Sequence, residues 1–151
     1  MAEAFARGDP TGWIARQFIG AGTATHLPIR IDKVAGVHSG TANGGYLNWQ
    51  NPEDVGILAT VIAHVTTAGT GTAGVDIGAG TGSGSSDNII DAGRIDTVNR
   101  AVNGSKDAGT NGRLFAWLSA KGGTTDYMVG KCNDLDATAV SNAYIVYIPI
   151  S

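Results

Sequence analysis

The chain has 151 residues, of which 23 are Gly, one is Cys and only 15% are charged, with a formal net charge of -3. A single cysteine rules out an internal disulfide framework and a cysteine-based zinc site, and the acidic balance supplies no electrostatic footprint for nucleic acid. Abundant Gly and Thr with scarce Glu, Lys and Gln predict an all-β chain with many turns, long enough for one real core.

Residues 1–50 differ from the rest. They place short apolar islands on a Gly-rich thread: Trp13-Ile14, Phe18-Ile19, Leu27 to Val34, and Tyr46 to Trp49. Leu27 to Val34 alternates like a strand, and Pro28 puts that strand at an edge or at a strand start. The segment is expected to be an extended arm lying on another surface, either its own sandwich or a neighbouring subunit. An ordinary first strand with long loops is the alternative. Phe5, Trp13, Ile14, Phe18, Ile19 and Trp49 are its candidate partner-binding residues, because aromatics on such threads act as contact anchors. The first ten residues lack an apolar signal core and no run approaches a bilayer span, so the expectation is a soluble protein made in the cytoplasm, without a membrane partner.

Asn51 to Asp54 reads as a turn. Gly56 to Thr67 is the longest nearly apolar run. With period two, Ile57, Ala59, Val61, Ala63 and Val65 share a dry face, and Leu58, Thr60, Ile62, His64 and Thr66 a semi-polar one. A helical stripe also fits these positions, but the β-branched content favours a long central strand. Ala73 to Ala79 reads as its hairpin return. Gly80 to Ser86 is a Gly/Ser loop, and Ser86 to Ala92 a short helical turn capped by Ser86 or Asp87. One short strand is expected near Ala101-Val102. Gly112 to Ala120 is expected to be a core strand with Leu114, Ala116 and Leu118 on one face and Phe115, Trp117 and Ser119 on the other, joined through a hairpin loop at Lys121 to Thr125 to a strand over Asp126 to Cys132. Ala143 to Ile150 is apolar on both faces, which predicts a strand in the middle of a sheet, ended by Pro149. Roughly eight strands and no strand–helix–strand repeat give an antiparallel two-sheet sandwich of jelly-roll type over residues 51–151, with the arm at 1–50.

Chemistry-bearing patterns are weak throughout. Gly69-x-Gly71-x-x-Gly74 matches a dinucleotide fingerprint by letter, but it is followed by strand-like Val75-Asp-Ile-Gly78, not by the helix that holds a pyrophosphate. There is no phosphate-loop Gly-Lys-Ser/Thr and no strand-to-helix serine elbow. His26, His38 and His64 are widely spaced. Asp87, Asp91, Asp96, Asp134 and Asp136 lack calcium-loop spacing and read as turn and cap carboxylates. Asn103-Gly-Ser105 is a glycosylation sequon that requires a secretory route. No catalytic, cofactor or metal residue is therefore assigned.

The run Gly56 to Gly78, with Ser86 to Asp91 and Gly109 to Gly112, resembles small virion proteins of tailed bacteriophages. In these a long strand passes through a Thr/Gly turn to a Val-Asp-Ile-Gly-like strand, a Ser/Gly loop and an Asp-Asn-Ile-Ile-Asp segment. The likeness covers about residues 55–151 and leaves residues 1–50 unmatched. It implies a jelly-roll capsid decoration (cement) protein, a homotrimer on the virion surface that clamps neighbouring copies of the major capsid protein and has no catalytic residues. A carbohydrate- or receptor-binding sandwich is the competing class, favoured by aromatics exposed on one sheet face or in loops. A sandwich enzyme needs clustered ionisable groups that the sequence does not supply.

Overall fold

The computed structural model describes residues 29–41, 44–83, 86–134 and 138–150. They form nine strands and no helix: β1 (Arg30–Val37), β2 (Leu47–Gln50), β3 (Gly56–Thr67), β4 (Gly74–Gly80), β5 (Ile90–Arg94), β6 (Ala101–Asn103), β7 (Ala116–Leu118), β8 (Tyr127–Cys132) and β9 (Val140–Ile150). Two antiparallel sheets pack as a sandwich. A five-stranded sheet has the order β1-β9-β3-β6, with β7 also pairing β3, and a four-stranded sheet has the order β2-β8-β4-β5.

The long apolar run is the 12-residue strand β3. Its expected dry face is buried: Ile57, Ala59, Val61, Ala63 and Val65 have no exposed surface. β9 pairs β3 from Gly56↔Ile150 to Thr67↔Val140, with a bulge between Val65 and Thr67. On its other side β9 pairs β1, so it sits inside the sheet as its two-faced apolarity predicts. Pairing runs through Pro149 rather than ending there. Among the described residues β1 starts opposite Tyr147, so β9 has one described partner strand at Pro149, where proline is tolerated. Inward residues of both sheets, among them Leu47, Ile57, Val61, Val75, Ile77, Met128 and Ile145, make one continuous core.

Several local expectations give way to sheet-crossing. β4 does not return along β3; it joins the other sheet between β8 and β5. β7 and β8 likewise lie in different sheets, so Lys121 to Thr125 is a crossing between sheets, not a hairpin loop. The expected strand 112–120 shrinks to β7, and Trp117 faces outward, 51% exposed. Ser86 to Ala92 makes no helical turn: the Ser86 hydroxyl donates to the Ala79 carbonyl at 2.7 Å, and the chain enters β5 at Ile90. The expected boundary near residue 50 does not bound the sandwich either. β1 and β2 lie within the segment assigned to the arm, yet β1 is an edge of one sheet and β2 an edge of the other. Edge placement of β1 matches the reading of Pro28, whose own position lies outside the described residues.

Two buried polar groups tie the connections to the sandwich. Asn51, with no exposed surface, donates through its amide to the carbonyls of Val55 (3.0 Å) and Ser119 (2.8 Å), and its oxygen accepts the Glu53 N–H at 2.9 Å. The Asn51 side chain thus fixes the β2–β3 turn and staples it to the end of β7. Asp126 accepts from the Gln50 amide and from the Gly122 N–H, both at 2.7 Å. Desolvation pushes the Asp126 carboxyl up, but these two donors outweigh it and hold it below the usual range.

Ile57→Ala should cost about 2–5 kcal/mol, and Asn51→Ala about 1–3 kcal/mol through the buried groups it leaves unpaired; urea unfolding measures both. Because the folded pKa of Asp126 lies below the unfolded value, its contribution is full above the unfolded carboxyl pKa and is lost as pH falls through the folded one. Melting temperatures taken from neutral to acid pH should therefore fall less steeply for Asp126→Asn than for the parent chain, the variant being the less stable at neutral pH.

Candidate functional site: the outer face of the five-stranded sheet

The two outer faces differ in kind. On the four-stranded sheet the outward positions are polar or glycine except for Val129: Asn48 and Gln50 of β2, Asp76, Gly78 and Gly80 of β4, and Tyr127, Val129 and Lys131 of β8. The segment before β5 folds over them. A Cβ on Gly78 would lie 2.2 Å from the Ser86 hydroxyl oxygen and 2.3 Å from the Asn88 amide oxygen, so glycine there is what lets the segment seat on the sheet. The Asn88 side chain then accepts the Ala79 N–H at 2.9 Å and donates to the Ala79 carbonyl at 3.3 Å, acting as a surrogate strand. Val129 is left 1% exposed beneath this cover.

No described strand covers the outer face of the five-stranded sheet. The register places Ile31, Val146 and Thr60 in one row, Lys33, Tyr144, Ile62 and Asn103 in the next, and Ile148, Leu58 and Trp117 in a third. Ile31 is 62% exposed and Ile62 40%. Lys33 and His64 are the ionisable side chains pointing outward from these strands besides the phenol of Tyr144, and no carboxylate does. The indole of Trp117 lies flat on β3, since a Cβ on Gly56 would fall 2.1 Å from its Cζ2 and 2.6 Å from its Cη2. Phe115 is exposed beside it, and a recess of about 140 Å³ is lined by Asn88, Arg113, Phe115, Ala116 and Trp117.

Among the expected contact residues, Trp49 is half-buried on the sandwich itself. Its Nε1–H donates to Asp32 at 3.0 Å, and its ring lies 5.3 Å from that of Tyr147 at a tilt of 53°. Phe5, Trp13, Ile14, Phe18 and Ile19 lie outside the described residues. Sequence reading missed the outer sheet face as a site. The signal was present in the two-faced apolarity of β9 and in the Leu58–Ile62 side of β3, but strand pairing was needed to place these rows side by side.

The acidic residues are occupied structurally. Asp91 accepts the backbone N–H groups of Thr110 (3.0 Å) and Asn111 (3.1 Å), Asp87 accepts from the Asn111 amide at 3.0 Å, and Asp96 pairs with Arg94. The Arg94 guanidinium holds the Asp96 carboxyl below its usual range. Asp136 lies outside the described residues. Among the described residues, no three His, Cys, Asp or Glu side chains gather as a metal site. Burial pushes the Cys132 thiol up to about 12, with Asp134 and Asp76 adding to it, so the group is a neutral thiol at physiological pH and a poor nucleophile. The Gly69–Gly74 pattern is the β3–β4 turn, with Gly71 at φ 63° and the Ala73 N–H donating to the Thr70 carbonyl, and it leads into β4. No described helix is long and apolar enough to cross a membrane. Comparison of the chain with protein-family models, with curated proteins and with solved structures finds no match.

Gly56→Val should lift the Trp117 indole off β3 and abolish its near-ultraviolet circular dichroism, with the far-ultraviolet β signal retained. An unchanged near-ultraviolet band would mean that the ring is not held by this seat. Asp91→Ala should lower stability by about 1–3 kcal/mol by freeing the Thr110 and Asn111 amides, as read by thermal melting.

Proposed function

We propose that this chain is a structural virion protein without catalytic activity, a decoration protein that coats a bacteriophage capsid and self-associates, as a trimer, on its surface. The observation that carries the reading is the contrast between the two sheets. One is closed off by its own loop, and the other, which no described strand covers, presents an apolar face of Ile31, Leu58, Ile62, Val146, Ile148 and Trp117. Faces of this kind mark contact with other proteins. The described carboxylates cited above are spent on turns and ion pairs, which leaves little for acid–base work. Strand order supports the jelly-roll reading that accompanies it: β1-β9-β3-β6 faces β2-β8-β4-β5, and the chain passes from sheet to sheet at most connections. The clamp on the major capsid protein rests on the family likeness of residues 55–151, and residues 1–28, which carry Phe5, Trp13, Ile14, Phe18 and Ile19, are the candidate anchors.

A second reading has an observation of its own. Trp117 presents an indole face seated on Gly56, with Phe115 and Arg113 beside it. A rigid exposed aromatic next to a cation suits a sugar ring as well as a protein, which favours a carbohydrate- or receptor-binding module.

Co-sedimentation with shells assembled from a bacteriophage major capsid protein separates the two. Decoration predicts saturable binding at a fixed ratio of copies to capsid subunits, a higher shell melting temperature, and sharp loss of binding when residues 1–20 are deleted. The binding-module reading predicts no shell binding and glycan retention that Trp117→Ala abolishes.

A further inference from the structure

We propose that the outer face of the five-stranded sheet is the surface through which copies of this chain join one another, so that its occupant is a second copy and not the shell. The inference rests on the structural-protein reading above and assigns that reading's apolar face to a partner.

Size is the first argument. The face is built from β1, β9, β3, β6 and β7, of 8, 11, 12, 3 and 3 residues, so at about 3.3 Å per residue and about 4.8 Å between strands it covers about 600 Å². Stable protein interfaces take about 800 Å² from each partner, so this face supplies most of an interface by itself.

Charge is the second. A surface that meets its own copy must not repel itself. The outward strand positions carry Lys33 and His64 and no carboxylate. Lys33 stands on the edge strand β1 and is exposed. It therefore lies at the rim, where a charge can stay solvated while the rows behind it close.

The third argument concerns when the face is covered. A shell becomes available only after assembly, whereas the folded chain carries the face from the start. An apolar patch above a few hundred Å² left in water leads to aggregation. A second copy is a surface of matching chemistry present at the moment of folding. Trp117, flat on Gly56 at the margin of the face, then serves as an aromatic anchor of the kind that dominates such contacts.

The test is the mass of the full chain in solution, by sedimentation or light scattering at micromolar concentration. Thr60→Glu and Ile31→Glu each put a carboxylate on the face while replacing, respectively, a polar and a well-exposed residue. Thr81→Glu, in the exposed loop after β4, is the control. The expected result is a parent chain at a multiple of 15.4 kDa, a control at the same mass, and both face variants at the single-chain mass with unchanged far-ultraviolet spectra. A parent chain that is monomeric overturns the proposal, and binding of an apolar dye then tells whether the face is bare or covered by residues 1–28. Folded face variants that keep the parent mass also overturn it. Should neither variant fold, oxidative labelling of Trp117 in the parent decides: protection that is lost on dilution supports the proposal, and full labelling at all concentrations refutes it. A monomer that still coats shells removes this inference alone, while an oligomer that coats none removes the decoration reading and leaves this one standing.

Discussion

The β3–β9 ladder is the constraint on which the rest depends. The two longest strands lie far apart in the chain and pair over nearly their full length. Once they are paired, every other element has a forced place. β1 adds to the free side of β9, while β6 and β7 share the free side of β3 in two short pieces. The inward rows of this sheet, built on Ile57, Val61, Val65, Ala143 and Ile145, need a second apolar layer, and β2, β4, β5 and β8 supply it. A ladder closed between segments so far apart carries a large loop-closure cost. Deep burial of both strands' inner faces offsets it, which is why small residues such as Ala59, Ala63 and Ala143 sit there and let the sheets approach.

The outer faces follow from a division of labour between side chains. On the four-stranded sheet, Gly78 removes the one Cβ that would block the loop, and Ser86 and Asn88 then satisfy backbone groups that water would otherwise serve. That sheet is finished within the chain. On the five-stranded sheet, Gly56 removes a Cβ for a different purpose, seating an indole that remains half in water. The same device, a glycine under a contact, closes one face and furnishes the other. Ionisable groups take no part in the second case, since the acidic side chains near the loops are bound to backbone amides and arginines.

The rows of the outer face were partly legible in the sequence. The Leu58–Thr66 side of β3 was identified as semi-polar, and β9 as apolar on both sides. A strand buried on both sides and a strand with one face awaiting a partner have the same composition, so two-faced apolarity assigned β9 to the middle of a sheet without telling whether its outer face is covered. Alternation set Trp117 on the face opposite Leu118 but did not say which of the two faces is inside. Trp117 lies outside because pairing of Leu118 with Ile57 fixes the phase of β7. A slip of one residue would exchange the two.

What the sequence determined by itself is therefore local and periodic. The all-β class, the exact span of β3 with its dry face, the edge position of β1 and the interior position of β9 all follow from alternation, β-branching and proline, which act within a few residues. Which strand pairs with which was decided only in three dimensions. β4 and β8 look like hairpin returns because each follows a turn, yet each crosses to the opposite sheet, since burying two inner faces against each other gains more than closing two short hairpins. The outer apolar face is a product of the same choice: it exists only where distant segments are brought into register, and no window of sequence contains it.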